Sequence, residues 1–336
     1  MTSSLRVERL TLAQGMARAS SGARPFAALS YGAGGEHAWI TGVSARVLLD
    51  SEPMIDLWHG GVQVHWGTTG VVRWRSDGEW LLGVVDLDEN DHGDDLAALA
   101  QRAYRGVFEA MKQAGCPHLL RVWNYLPRIN DDGGGMERYR LFNAGRQQAF
   151  LDAGQAAFDG APAACALGIH QGALCVRFLA GRVPPLPVEN PRQVSAYRYP
   201  ADYGPRAPTF SRAALAPIGG GQVALFISGT ASIVGHRTMH VGDVRAQTAE
   251  TLLNLRSVTA AANERTSARF ALERSDPVIY VRRPADAPSI RQWLEEALGA
   301  GSRFMRHAVF LEADICRSDL LVEIEAHATE AGELRG

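Results

Sequence analysis

VVRWRSDGEWLLGVVDLDENDHGDDLAALAQRAYRGVFEAMK, residues 71–112, contains the two periodicities that decide the fold class. Its first part predicts two strands that are joined by a hairpin turn at Asp77–Gly78. The period then changes, because the apolar residues over 94–112 follow the stripe of an amphipathic helix. Asp94 or Asp95 can cap the start of this helix. The stretch therefore predicts an antiparallel pair of strands followed by a helix.

The residues before this stretch also predict strands. Three short segments are rich in residues that favour β-structure, PFAALSYG from Pro25, HAWITG from His37 and VQVHWG from Val62. In the third segment, Val62, Val64 and Trp66 alternate with polar residues. This alternation predicts a strand with one buried face.

The residues after residue 112 repeat the same pattern of strands and helices. HLLRVWNYL predicts a strand and ERYRLFNAGRQQAFLDAG a helix. In the second half, residues 244–262 and SIRQWLEEALG predict helices, and the predicted strands are CALGIH, CVRFLAG, GQVALFISGTASIV, PVIYVRR, HAVFLEADI and DLLVEIEA. We therefore predict the α+β class, with two similar lobes over 1–150 and 151–336, each a mixed sheet that carries helices.

The composition excludes several classes of chemistry. The chain has 336 residues, 46% hydrophobic and 21% charged, with a formal net charge of −2, which argues against a nucleic-acid binder. All of its 34 basic residues except Lys112 are arginine. Schiff-base chemistry therefore has a single candidate lysine, and no P-loop lysine is present. An anion must be recognised by arginine, whose planar fork suits carboxylates.

The four cysteines do not predict a metal site. Cys116, Cys165, Cys175 and Cys316 lack metal-binding spacing and are too few for a disulfide framework. We therefore expect no bound metal. The first residues lack the pattern of a signal peptide, and no apolar run reaches the length of a membrane span. The expectation is a reduced protein of the cytoplasm.

Residues 183–212 predict a long loop without regular structure, and loops of that length are often functional. The loop contains four arginines and three tyrosines, namely Arg192, Arg198, Arg206, Arg212, Tyr197, Tyr199 and Tyr203. Arginine and tyrosine together suit a small anionic ligand that contains a ring. The alternative is a structural loop whose arginines pair with surface acids.

Six strings, in order along the chain, resemble the chorismatase family. They are RVWNYLPRIN from Arg121, ERYRLFNAGRQ from Glu137, VENPRQVSAYRYP from Val188, YGPRAPTFSRA from Tyr203, LFISGTASIVGH from Leu225 and CRSDLLVEIEA from Cys316. The resemblance runs from about residue 81 to residue 326, and the first 80 residues match less distinctly.

This resemblance implies a fold, a substrate and a set of partners. It implies two YjgF/RidA-like lobes with helices packed on one face of each sheet, and a C-terminal lobe that carries a catalytic glutamate. It implies an enzyme that converts chorismate, a small molecule, into pyruvate and a cyclic acid. We expect no cofactor, no nucleic acid, no membrane, and a monomer or a homotrimer. A non-catalytic binder of small carboxylates and an imine deaminase of the same fold are the alternatives.

The segment DLLVEIEA places Glu323 and Glu325 on one face of a strand. Cleavage of chorismate's enol ether begins with protonation of its terminal methylene carbon. A carboxylic acid whose pKa is raised by burial can supply that proton near neutral pH. The family's catalytic glutamate aligns with Glu323, and Glu325 is the next candidate. On the pattern alone, both side chains could form the wet face of an edge strand.

The resemblance also implies that the residues at positions 229 and 316, here Gly229 and Cys316, distinguish family members that form different products. This pair resembles the enzymes that form 3-hydroxybenzoate. A further type of enzyme in the family forms a mixture of 3- and 4-hydroxybenzoate. The hydrolytic type, which releases a trans-dihydroxycyclohexadiene carboxylate, tends to carry alanine at the first position. We expect Gly229 to leave room for the ring and Cys316 to present an apolar surface that holds water poorly. Cys316 lacks a neighbouring base, so we do not expect it to be a nucleophile.

Substrate-binding candidates lie in a helix, in the long loop and in one strand. Tyr139 and Arg146 are seven residues apart, share one helix face and could hold one carboxylate. Thr230 is expected near the leaving group. The candidates for the other carboxylate are Arg206, Thr209, Ser211 and Arg212, and Tyr199 is a further substrate-binding candidate. Each of these residues could instead make a structural hydrogen bond.

Overall fold

The computed structural model of the chain describes residues 4–20, 25–32, 37–43, 45–49, 52–93 and 95–335. The strands up to residue 181 are β1 (Arg6–Thr11), β2 (Ala27–Tyr31), β3 (Ile40–Val43), β4 (Arg46–Val47), β5 (Met54–His59), β6 (His65–Thr69), β7 (Val72–Ser76), β8 (Trp80–Leu87), β9 (His118–Pro127), β10 (Ala163–Ile169) and β11 (Leu174–Gly181). Those after residue 181 are β12 (Leu186–Val188), β13 (Ala213–Gly219), β14 (Gln222–Ala231), β15 (Ile233–Val234), β16 (Arg237–Thr238), β17 (Asp276–Val281), β18 (Val309–Glu312), β19 (Asp314–Ile315) and β20 (Val322–Ala331). The α-helices are α1 (Leu12–Ser20), α2 (Glu89–His92), α3 (Leu96–Ala114), α4 (Arg138–Asp152), α5 (Val244–Glu264), α6 (Ala287–Leu298) and α7 (Arg303–Arg306).

These strands form three sheets and a short ladder of β15 with β16. Sheet I has the order β1-β5-β2-β3. Sheet II has the order β19-β10-β9-β11-β8-β7-β6, and sheet III has the order β12-β13-β14-β20-β17-β18-β4.

Sheets II and III have the same topology. Each contains one parallel pair, β9 with β10 and β17 with β18, and its other neighbouring strands are antiparallel. In each sheet, the end strand beside that pair comes from a different part of the chain. β19 follows β18 of sheet III and joins sheet II, whereas β4 follows β3 of sheet I and joins sheet III. Backbone hydrogen bonds therefore tie the sheets together.

The three sheets face one another across a shared apolar core. Trp58 of sheet I, Leu179 of sheet II and Tyr280 of sheet III all belong to it. The outer face of sheet II is covered by α3 and α4, and that of sheet III by α5 and α6. The core therefore lies at the centre of the molecule, and the helices form its outer layer.

The predicted α+β class, with helices on one face of each mixed sheet, is confirmed. The hairpin at Asp77–Gly78 joins β7 to β8, and Asp95 caps α3 by accepting a hydrogen bond from the backbone N–H of Ala98. Asp94 lies outside the described residues. The structure adds sheet I as a third, smaller layer. The lobe boundary at residue 150 stays a prediction; sheet II continues beyond it through β10 and β11.

The predicted buried face of VQVHWG is wrong. β6 begins only at His65, and the side chains of Val62 and Trp66 are 97% and 74% exposed. Val64 packs against the shared core, so it alone of the three follows the expectation. The physical reason is that the side chain of Trp66, on the end strand of sheet II, borders an open cavity and is not covered by another element.

Candidate active site

A cavity of about 500 Å³ lies between sheets II and III. Sheet III supplies strands β14 and β20, the start of α4 supplies the sheet II side, and the segment after β19 covers one end. Its lining residues include Glu137, Tyr139, Arg140, Tyr199, Tyr203, Pro208, Phe210, Arg212, Gly229, Ala231, Ile233, Arg237, Thr238, Cys316, Arg317, Asp319 and Glu323. A smaller extension reaches Arg146 and Cys165. The cleft therefore combines four arginines with aromatic and apolar surface.

Glu323 lies on the cavity wall in a central strand. β20 is hydrogen-bonded on both sides, so that Glu323 stands opposite Ala231 of β14 and Tyr280 of β17. Its side chain is buried, with 4% of the residue exposed. The interpretation that the two glutamates form the wet face of an edge strand is therefore wrong, because the strand has a partner on each side.

Burial raises the pKa of the Glu323 carboxyl to about 8, and the nearby negative charge of Glu325 adds to the shift. The positive charges of Arg121 and Arg212 oppose it to a smaller extent. At neutral pH the carboxyl is therefore mainly protonated, which is the state that a general acid needs.

Glu325 is occupied by structural partners. Its two carboxylate oxygens accept hydrogen bonds from the Arg121 guanidinium and from the Trp123 indole N–H, the latter at 3.0 Å. The residue is 3% exposed and does not line the main cavity. Of the two glutamates, Glu323 is therefore the one with access to a ligand.

Gly229 leaves the space that the Glu323 carboxyl fills. A Cβ at this position would overlap Glu323 Oε1, would lie 2.8 Å from its Cδ and would lie 3.2 Å from Cβ of Cys165. A side chain at residue 229 therefore competes with the carboxyl for one volume.

Cys316 and Tyr139 add protonated, weakly polar surface to the cavity. Burial raises the pKa of the Cys316 thiol to about 12, and the charge of Glu323 contributes. Burial also raises the pKa of the Tyr139 phenol, with a contribution from Cys316. Cys316 is therefore a thiol and not a thiolate at neutral pH, so it has little nucleophilic character.

Three guanidinium groups around the cavity hold nitrogen atoms without a partner. Nε of Arg146, Nε of Arg212 and Nη2 of Arg317 are buried and have no hydrogen-bond acceptor among the residues that the structure describes. Buried donors are normally paired, so unpaired ones at a cavity indicate where an anionic ligand binds. Their number suits a ligand with more than one carboxylate.

Tyr199 and Tyr203 hold two of these arginines in place. Arg212 donates to the Tyr199 hydroxyl at 2.7 Å, and the Arg317 guanidinium lies 4.2 Å from the ring centroid of Tyr203 and 5.2 Å from that of Tyr199. The Tyr203 hydroxyl donates to the backbone carbonyl of His236 at 2.7 Å. The aromatic rings therefore orient the cationic groups before any ligand binds.

Four of the predicted site residues do not line the cavity. Thr230 donates to the carbonyl of Ser228, and Ser211 donates to that of Ala161, both at 2.8 Å. Arg206 is exposed and reaches Gln147 at 3.3 Å. Thr209 is buried with an unpaired hydroxyl. The bonds of the first three are structural, so these residues support the fold around the site.

The long loop is more regular than predicted. It contains β12 and two short 3-10 helices, over Ala196–Arg198 and Ala201–Tyr203. Of its four arginines, only Arg212 lines the cavity, and Arg192 pairs with Glu250 of α5 at 2.6 Å. The structural interpretation therefore holds for Arg192, and ligand binding by Arg212 stays a prediction.

Arg317, Phe210 and Cys165 are site residues that the sequence reasoning missed. Arg317 directly follows Cys316 in one of the matched strings, so the signal for it was present. Cys165 carries no sequence signal, because β10 approaches Gly229 only through the packing of sheet II on sheet III.

The described part of the chain has neither a metal-binding cluster nor a membrane-spanning helix. No group of three or more His, Cys, Asp or Glu side chains is placed to hold a metal ion. No helix there is long and apolar enough to cross a lipid bilayer.

Known proteins match this chain along most of its length. The family model for the N-terminal part of FkbO/Hyg5-like chorismatases matches residues 56–180. A chorismatase of Streptomyces hygroscopicus is 38% identical over 287 residues, which cover 82% of this chain and 79% of that protein. A 3-hydroxybenzoate synthase of the same species is 36% identical over 286 residues, which cover 82% of this chain and 81% of that protein. A crystal structure of a chorismatase matches with a TM-score of 0.83 at 30% identity, covering 98% of this chain and 99% of that one.

The fold and the cleft between its two large sheets define an α+β enzyme with a small-molecule site. The matches in sequence and in structure then decide which enzymes it groups with. The chain belongs to the chorismatase family.

Proposed function

We propose that the protein converts chorismate into 3-hydroxybenzoate and pyruvate, with Glu323 as the general acid. One observation carries the proposal: a buried carboxyl with a pKa of about 8 faces a cavity that is lined by arginines with unpaired nitrogens. The similarity to a 3-hydroxybenzoate synthase supports the choice of substrate and product.

The charges of the cavity suit chorismate, which carries two carboxylates, a hydroxyl and an enolpyruvyl ether on a cyclohexadiene ring. With Arg146 of the smaller extension, five arginines line the cavity, against Glu137 and Asp319 as its carboxylates besides the protonated Glu323. The excess of positive charge therefore suits a substrate with two negative charges. Arg212 and Arg317 suit one carboxylate and Arg146 the other, because their unpaired nitrogens border separate parts of the cleft.

In the proposed first step, Glu323 transfers its proton to the terminal methylene carbon of the enolpyruvyl group. The resulting oxocarbenium ion makes pyruvate a leaving group at ring carbon 3. The neighbouring ring hydroxyl attacks that carbon as the C–O bond to pyruvate breaks, and its proton goes to the Glu323 carboxylate. The arene-oxide-like species then opens and becomes aromatic. No water is consumed, so the reaction is an elimination of pyruvate rather than a hydrolysis.

The walls beside the acid favour this route over water attack. The protonated Cys316 thiol is a weak hydrogen-bonding partner and holds water poorly. Gly229 allows the Glu323 carboxyl to stay against β14, which leaves the cavity for the ring. Together they support 3-hydroxybenzoate as the main product.

The test is to incubate the protein with chorismate, to quantify pyruvate and to identify the ring product by chromatography. We expect pyruvate and 3-hydroxybenzoate in equal amounts, with 4-hydroxybenzoate measured in the same run. We expect Glu323→Gln to lower kcat on the order of 100- to 10,000-fold while chorismate still binds. The matched control is Glu330→Gln, which changes a glutamate of the same strand that pairs with Arg274 outside the site.

Three outcomes would contradict parts of the proposal. Chorismate binding without pyruvate release would make the protein a non-catalytic binder. A dihydroxycyclohexadiene carboxylate as the sole product would retain the family but reverse the product type. Full activity of Glu323→Gln would show that another group supplies the proton.

A further inference from the structure

The active cleft lies at one of three equivalent positions in the fold. Sheet I repeats the central part of the other two sheets: β3 is parallel to β2, β2 is antiparallel to β5, and β5 is antiparallel to β1. Sheet II shows the same sequence of pairings in β10, β9, β11 and β8, and sheet III shows it in β18, β17, β20 and β14. The three sheets therefore meet at three related interfaces.

These interfaces differ in what fills them. At the interface of sheets III and II, β14 faces β10 across the active cleft. At the interface of sheets I and III, Arg9 of β1 reaches the carbonyl of Pro277 in β17 at 2.9 Å and bonds Asp56 at 2.5 Å, so that ionic groups fill the space. At the interface of sheets II and I, β8 faces β3 across a second cleft, which has a volume of about 260 Å³. This second cleft is the topological counterpart of the active one.

Two rows of side chains on sheet II form one wall of the second cleft. The strand register places Trp66, Arg75 and Leu82 in one row. It places Thr68, Arg73 and Val84 in the next row. Ala27, Ile40 and Thr41 of sheet I form part of the opposite wall, with Trp39 at its edge. The cleft therefore has apolar side walls, indole rings and two guanidinium groups.

Arg75 has spare binding capacity in this cleft. Its Nε donates to the carbonyl of Phe26 at 2.8 Å, and its guanidinium lies 5.9 Å from the ring centroid of Trp66. Neither Nη atom has an acceptor among the residues with described positions. A half-buried guanidinium with two free donors, held beside an indole, matches a ligand with a carboxylate attached to a flat ring.

The second cleft lacks groups for chemistry. Its described lining contains no acid, histidine, cysteine, serine or lysine. A ligand that binds there meets no carboxylic acid in the described wall and no base that could activate the hydroxyls of Thr41 and Thr68, in contrast to the cleft that contains Glu323.

We propose that the cleft between sheets I and II is a second, non-catalytic binding site for a small ring-bearing carboxylate. A substrate or a product with this chemistry would occupy it, and that choice of source rests on the proposed function. The site itself does not, because benzoate-like anions can be tested without turnover.

Isothermal titration with 3-hydroxybenzoate tests the proposal. We expect two binding events for each wild-type chain. Arg75→Gln is expected to weaken one event at least tenfold while kcat for pyruvate release stays unchanged. Trp66→Ala changes an exposed side chain, so it should fold normally and weaken the same event. Arg212→Gln should weaken the other event, and Arg182→Gln, which changes an exposed arginine outside both clefts, should alter neither.

A wild type without any binding event that Arg75→Gln weakens would overturn the proposal, and so would two events that neither Arg75→Gln nor Trp66→Ala weakens. A titration of Glu323→Gln with chorismate shows whether the second site also binds the substrate. If chorismate competes with 3-hydroxybenzoate at the Arg75-dependent site, the substrate binds there too. If it does not compete, the site binds the product. Failure of the proposed function would appear as missing pyruvate and as loss of the Arg212-dependent event, and would leave the Arg75-dependent event unaffected.

Discussion

At the scale of single residues, the site depends on one carboxyl and on the glycine that makes room for it. Glu323 is buried against Gly229, and the space for its Oε1 exists only because residue 229 has no Cβ. Desolvation in this position keeps the carboxyl protonated near neutral pH. The absence of a side chain at residue 229 thus allows both the burial of the Glu323 carboxyl and its raised pKa.

Gly229→Ala should therefore act through Glu323. The added methyl group overlaps Oε1, so the carboxyl must move into the cavity, where it is more solvated and closer to the ring. We expect a lower kcat and a product mixture that contains more of the hydrolytic dihydroxycyclohexadiene carboxylate. Chromatography of the products with a pyruvate assay measures both changes. Unchanged kcat and unchanged product ratio would show that the carboxyl does not occupy this position in solution.

Glu325 should control the pH range of activity without touching the substrate. Its negative charge raises the pKa of Glu323, so Glu325→Gln should lower that pKa. The activity of the wild type should decline as the pH rises through about 8, since Glu323 then loses its proton. In Glu325→Gln this decline should begin at a lower pH. The pH profile of kcat/KM measures this shift, and Glu325→Asp, which retains the charge, is the control. Identical profiles for Glu325→Gln and the wild type would contradict the assigned role of Glu325.

The family resemblance predicted Glu323 as the acid and Glu325 as the next candidate, and the local pattern alone did not separate them. Both alternate with apolar residues in VEIEA. The difference arises from Arg121 and Trp123, about 200 positions earlier in the chain, which bind Glu325 and leave Glu323 free. Such long-range pairing is not visible in local periodicity.

At the scale of elements, the long segment before β13 is a folded support for the site. Arg192 of this segment binds Glu250 of α5 at 2.6 Å and Asn254 of α5 at 2.8 Å. Tyr199 and Arg212, which are hydrogen-bonded to each other, belong to the same segment and line the cavity. Its composition predicted an anion site, but its regular parts were missed. The regular part β12 could not be predicted from local sequence, because it forms only by pairing with β13.

Arg192→Ala should weaken substrate binding more than catalysis. The ion pair with Glu250 is partly buried, and its loss should destabilise the segment by about 1 kcal/mol, which corresponds to a factor of about five in KM. We expect kcat to change little, because Glu323 lies on another element. Steady-state kinetics with chorismate measure the two constants. Arg291→Ala, on the outer surface of α6, is the control, and a fall in kcat at constant KM would contradict the assigned role.

The edge of sheet II shows where periodicity misleads. The alternation in VQVHWG is genuine, but an end strand is not covered on both faces, so Trp66 points into an open cleft. In α3, by contrast, the stripe over 94–112 predicted the buried face correctly, because sheet II covers that whole face of the helix.

At the scale of the whole molecule, three sheets are held together partly by buried charge. Asp276 pairs with Arg303 and His307 at 2.7 Å, and His327 lies 3.5 Å from Asp276. Arg9 and Asp56 of sheet I complete the group. Two lobes were predicted and the third sheet was not, because the first 80 residues resemble the family least.

This buried group should make the fold sensitive to acid. Burial lowers the pKa of His327 below 6.5, so the unfolded chain binds the proton first and stability falls as the pH drops below about 6.5. Hydrogen bonds from Arg303 and His307 outweigh burial and lower the pKa of Asp276 far below its usual value, so its contribution is lost only below about pH 4. Urea unfolding between pH 8 and pH 4 should show a slope of at most about 1.4 kcal/mol per pH unit for the histidine. His327→Gln should flatten the curve between pH 7 and pH 5, and an unchanged curve would contradict this assignment.

The proposed mechanism requires that Glu323 carries a proton at neutral pH before the substrate binds. A titration of the glutamate side-chain carboxyl carbons by ¹³C NMR tests it most directly, with the Glu323 signal assigned by its loss in Glu323→Gln. We expect a midpoint at about 8. A midpoint in the ordinary range of exposed glutamates, about 4.3, would contradict it, because the carboxylate would then have no proton to give.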